Sequence, residues 1–103
     1  MSVERHHIMV VTYWNPVTLN MAHGRAQALL LRPTPIVPSG VEGWGTFYIS
    51  PDGHKEGWAE SDEWDARRQE LCSWIEEECK PVEYVLLAYG GSEGQPPSIV
   101  RFQ

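Results

Sequence analysis

The sequence predicts an α+β protein: a two-layer sandwich in which a mainly antiparallel sheet carries two helices on one face, in the order β-α-β-β-α-β-β. Two near-continuous apolar runs, residues 8–14 and 82–89, are rich in β-branched and aromatic side chains and suit interior strands. Two other segments, residues 16–31 and 61–79, repeat apolar residues at helical spacing. Paired strand signals lie between and after the helices, which favours an antiparallel sheet over a parallel one. At 103 residues, with no repeat or linker, residues 1–103 form a single domain.

The first strand is expected at residues 5–13. Asn15-Pro16 then opens a helix, since Asn accepts backbone N–H groups at the cap and proline needs no partner at the first helical position. Val17, Met21, Ala22, Ala26, Leu29 and Leu30 recur along it, and Pro33 ends it near Leu31; a hairpin over residues 25–31 competes with this reading. The prolines at 33, 35 and 38 make the next segment an extended connector or a sheet edge. A strand follows at residues 44–50, then the turn Pro51-Asp52-Gly53 and a short returning arm at residues 54–58.

Ser61 suits the N-cap of the second helix, with Asp62 and Glu63 at the positive end of its dipole. Trp64, Arg68, Leu71, Cys72, Ile75 and Cys79 fall on one stripe, Glu63 and Arg67 form an i,i+4 pair, and Lys80-Pro81 stops the helix. Residues 82–89 form the second interior strand. The glycine- and proline-rich residues 90–97 form a loop, and residues 98–102 close the sheet.

Charge is unevenly spread. The net charge is −6, yet residues 56–79 hold nine acids against Arg67 and Arg68, leaving the rest of the chain slightly positive. Phosphate contacts need clustered Lys and Arg, so direct nucleic-acid binding through that helix is excluded. Nothing approaches the roughly 20 apolar residues needed to span a bilayer. Two cysteines make no disulfide framework, and the expected location is reducing cytoplasm.

The residues that invite chemistry are sparsely organised. Adjacent His6 and His7 point to opposite faces of a strand and cannot share an ion. Cys72 falls on an apolar stripe, and Cys79 lies beside Glu76, Glu77 and Glu78, where a thiolate is disfavoured. The glycine-rich stretches lack the Lys and the following helix of a phosphate loop. No metal, cofactor or catalytic residue is expected.

Two features remain. Residues 50–58 place a rigid turn before His54, Lys55 and Trp58. This stretch resembles a P-D-G-x-K-E-G-W hairpin pattern of small uncharacterised bacterial proteins; the resemblance extends over residues 44–74, rests on one motif and implies no activity. The second feature is the acidic helix and its aromatic neighbours. Five tryptophans exceed what a small core needs, and Trp74, offset from the main stripe near Glu70 and Glu77, is the expected exposed anchor.

The expected function is a non-catalytic protein-interaction module, with Trp58, Trp74, Glu70, Glu77, His54 and Lys55 as binding residues. Its partner is another protein or a second copy joined through the open edge at residues 98–102. One alternative is a ligand-binding protein or enzyme using His54 and Lys55. Another is an acidic decoy that blocks a nucleic-acid-binding protein.

Overall fold

The computed structural model describes residues 5–40, 43–52, 59–91 and 95–103. These form β1 (His6–Tyr13), α1 (Pro16–Ala28), β2 (Val37–Pro38), β3 (Gly45–Ile49), α2 (Ala59–Glu78), β4 (Glu83–Tyr89) and β5 (Ser98–Phe102). The strands make one sheet in the order β2-β3-β1-β4-β5, with every neighbouring pair antiparallel. The first six elements follow the β-α-β-β-α-β order of a split β-α-β unit, and β5 extends the sheet beyond β4.

The predicted α+β class and element order hold, but the strand pair between the helices is differently composed. The proline-rich connector supplies β2, an edge strand against β3, with Val37 opposite Thr46. Proline is tolerated there because an edge strand has one unpaired side. The expected returning arm, residues 54–58, lies outside the described residues.

Alternation along β1 divides the sheet into two faces. Met9, Val11 and Tyr13 are buried together with Phe47 and Ile49 of β3 and Tyr84 and Leu86 of β4. Leu19, Ala22 and Ala26 of α1 and Leu71, Cys72 and Ile75 of α2 complete this cluster, so both helices cover one face. The expected stripe of α2 is the buried one. That of α1 is so only in part: Ala22 and Ala26 are buried and Leu29 packs on the core, but Leu19 also points inward, while Val17, Met21 and Leu30 are exposed. Small Ala22 and Ala26 bring α1 close to the sheet, and Leu19, one turn earlier, shares their side.

The ends of α1 show how sequence sets length. Asn15 Oδ1 accepts from the N–H groups of Val17 and Thr18 at 3.0 and 3.4 Å. The helix ends at Ala28, three residues before the expected Leu31. Leu30 adopts φ +60°, its N–H bonds Gln27 O, and the Leu31 N–H reaches back to Ala26 O. This is a Schellman closure with leucine where glycine is usual. Burial of Leu31, 1% exposed, offsets the left-handed backbone cost of about 1–2 kcal/mol. The start of α2 also differs: it begins at Ala59, and Ser61 is buried inside the helix instead of capping it.

Candidate interaction surface

The second sheet face has no covering layer among the described residues. Cross-strand register puts Tyr48, Val10, Val85 and Phe102 in one row and Ile8, Leu87 and Ile99 in the next. His6 stands opposite Tyr89, their ring centroids 5.3 Å apart. Val37 adjoins a Thr12–Thr46 pair whose hydroxyls meet at 3.0 Å. Of the described strand residues on this face, Glu83 alone carries a formal charge, and it sits at the end of β4.

An irregularity in β5 makes this face more apolar than simple alternation allows. Arg101 pairs with Leu86 and Ile99 with Leu87, so Val100 is the extra residue of a bulge. The bulge turns Arg101 to the helix side and lets Ile99 join Phe102 on the open side. Phe102 is 70% exposed and Ile99 62%. A solvated face of an antiparallel sheet is ordinarily polar. This one is built of Ile, Val, Leu, Phe and Tyr.

On the helix side Arg101 anchors β5 to α2. Its Nε and Nη2 donate to both oxygens of Glu76 at 2.8 and 2.7 Å, and its Nη1 donates to Gln69 Oε1 at 2.7 Å. The Tyr84 hydroxyl donates to Glu76 as well. These bonds, from Arg101 first and Tyr84 second, hold the Glu76 carboxyl below its ordinary value. Burial, and then the bond to Glu76, pushes the Tyr84 phenol up.

A carboxylate with a depressed folded pKa contributes stability that is present above its unfolded value, about 4.3 for Glu, and is lost as pH falls through the folded value. Glu76→Gln is therefore expected to lower unfolding free energy above about pH 5 and to converge on wild type in acid. Urea unfolding at pH 7, 5 and 3 checks this; a gap independent of pH would contradict it.

The residues singled out in the sequence do not form one site. His54, Lys55 and Trp58 lie outside the described residues. Glu70 is exposed, with one oxygen 3.6 Å from Arg25 Nη2, and Glu77 is exposed. Trp74 is not the exposed anchor expected: it is half-buried and packs on the core cluster, because its position at the margin of the buried stripe lets the large ring fold back onto it. Trp14 is the tryptophan found more than half exposed among those described. Trp74→Ala is expected to cost about 2 kcal/mol, less than the 3–5 typical of a fully buried aromatic. Chemical denaturation checks this, and unchanged stability would return Trp74 to the list of surface anchors.

Both cysteines are buried free thiols. Burial pushes the Cys72 thiol up to about 11, and burial and then the Glu78 charge raise that of Cys79. Among the described residues no three His, Cys, Asp or Glu side chains gather as a metal site, and no helix is long and apolar enough to cross a membrane. His6 and His7 do fall on opposite faces, His7 opposite Ala88 and His6 opposite Tyr89.

Sequence reasoning also missed a buried ion cluster. Arg68, 1% exposed, binds Asp65 and lies 3.8 Å from Asp52, in the chain leaving β3, whose side chain is 5% exposed. Its place on the apolar stripe was the signal. A charged residue at a core position has to find a buried counter-charge.

No family model matches the chain, and neither the curated proteins nor the solved structures contain a significant match.

Proposed function

We propose that this protein is a non-catalytic interaction module that works as a homodimer, joined through the open faces of its two sheets. The observation that carries the reading is the open apolar face of β1, β3, β4 and β5, on which Glu83 at the end of β4 is the one formal charge among the described strand residues. Four strands about 4.8 Å apart and about 20 Å long present roughly 400 Å² of plane, and side-chain relief adds to it. A standard interface covers roughly 800 Å² per partner.

Charge selects a second copy as the occupant. An apolar face whose described strand residues carry one formal charge, Glu83 at the end of β4, can meet its own copy, as a two-fold interface requires. The acidic helix α2 lies on the opposite side of the sheet, so face-to-face pairing holds the two acidic surfaces apart. Association through the helices would press like charges together, at a cost for chains of net charge −6. Pairing of the β5 edges would leave the apolar face in water.

The acidic-helix module and the acidic decoy gain less support, since Glu70 and Glu77 stand on a charged surface with Trp74 folded onto the core. Sedimentation velocity between about 1 and 100 μM, in low salt and in 1 M NaCl, tests the dimer. The expected result is twice the monomer mass in both, because apolar burial is not screened. A monomer throughout that range overturns the proposal.

A further inference from the structure

The β2–β3 edge and the first turns of α1 enclose a cleft of about 510 Å³, on the helix side of the sheet and away from the face assigned to the dimer. Leu19, Ile36, Pro16, Pro38 and Trp44 supply its apolar walls, and Asn20 and Ser39 border it. Ligand clefts fall typically between 300 and 1,000 Å³ and are apolar with a few polar groups.

The cleft is built into the chain. The Ser39 N–H donates to Trp44 O at 2.8 Å, tying together two lining residues of one wall. Gly43 holds that wall against the chain entering α1: its φ is +84°, and a Cβ there would stand 2.8 Å from Trp14 O. Gly45 sets the floor, where a Cβ would meet Ile36 and Leu19 side chains at 3.0 and 3.1 Å. The flanking prolines stiffen the entrance.

The lining decides the class of ligand. None of the described lining residues is charged, in a protein of net charge −6. The N-terminus of α1 does not offer an anion site either. Pro16 has no N–H, and those of Val17 and Thr18 are already taken by Asn15 Oδ1. Asn20 Nδ2 is committed to Pro16 O at 2.8 Å, leaving its side-chain carbonyl able to accept from a hydroxyl or N–H. Trp44 supplies a ring for stacking.

From these observations we infer that the cleft is a binding site for an uncharged aromatic molecule carrying one hydrogen-bond donor. Indole- or phenol-like compounds have this chemistry, and the site is independent of the dimer.

The test is a two-dimensional NMR titration of the full chain with 2-naphthol and with 2-naphthoate, its anionic counterpart. The expected result is saturable shifts confined to Leu19, Asn20, Ile36, Ser39 and the Trp44 indole N–H. The neutral compound should bind at least about tenfold more tightly, since an anion would lose its hydration without a counter-charge. Asn20→Trp, at an exposed helix position, fills the cleft and should abolish these shifts while the remaining spectrum stays folded; Ser39→Trp does the same from the opposite wall. Non-saturating shifts, equal affinity for the two compounds, shifts centred on Ile8 and Phe102, or binding that survives both substitutions overturns the proposal.

Discussion

Arg68→Ala is expected to destabilise the fold by about 3–5 kcal/mol, the range for breaking a buried ion pair from one side. Native domains are stable by only about 5–15 kcal/mol, so this change leaves a substantial unfolded population at moderate temperature. The guanidinium has no solvent to retreat to, and the Asp52 side chain beside it is 5% exposed. Asp52 Oδ2 finds no hydrogen-bond partner among the described residues, so with the cation removed its charge stands uncompensated. Asp65, 45% exposed, hydrates instead. The cluster also ties the chain after β3 to α2, so the loss extends beyond one residue.

The double variant Arg68→Met/Asp52→Asn separates charge from packing. Methionine restores the apolar volume and asparagine removes the stranded charge, so the pair is expected to be more stable than Arg68→Met alone. Urea unfolding of the set measures the coupling. A loss under about 1 kcal/mol for Arg68→Ala would mean that the ion cluster does not hold the chain after β3 to the helix.

Phe102→Glu is expected to weaken dimerisation at least about 100-fold, because the two-fold axis applies the change twice and each hot-spot loss is of order 2 kcal/mol. The monomer should be almost unaffected. Phe102 is 70% exposed at the end of an edge strand, and exposed positions tolerate substitution within about 0.5 kcal/mol. Sedimentation equilibrium read beside thermal unfolding distinguishes the two effects. A dimer that survives Phe102→Glu uses the β5 edge or the helices instead of the sheet face. Glu77→Lys is the control: it lies on the acidic helix and should leave sheet-face dimerisation in place.

Much of the architecture was legible because local signals agreed with one another. Asn15-Pro16 opens α1, the apolar stripe of α2 is the one buried, and Glu63 pairs with Arg67 at 3.6 Å. The two long apolar runs became the neighbouring strands β1 and β4. The candidate site was far less legible. Those same runs suit interior strands, a reading that leaves the open apolar face unseen. A run such as residues 8–13 reads alike whether its second face meets a helix or water, since hydrophobicity records what must be buried and not what buries it.

By itself, then, the sequence determined the α+β class, the order of elements, the acidity of one helix and the place of its cysteines on the buried stripe. These follow from period, capping and local charge, which act over a few residues. The tertiary structure alone decided the rest. It made the proline-rich connector an edge strand against β3 and folded Trp74 onto the core. It drew Asp52 to Arg68, 16 positions further along the chain, and a single bulged residue, Val100, put Ile99 beside Phe102 while sending Arg101 to Glu76. Each of these depends on register and packing between segments distant in the chain, which no local pattern encodes.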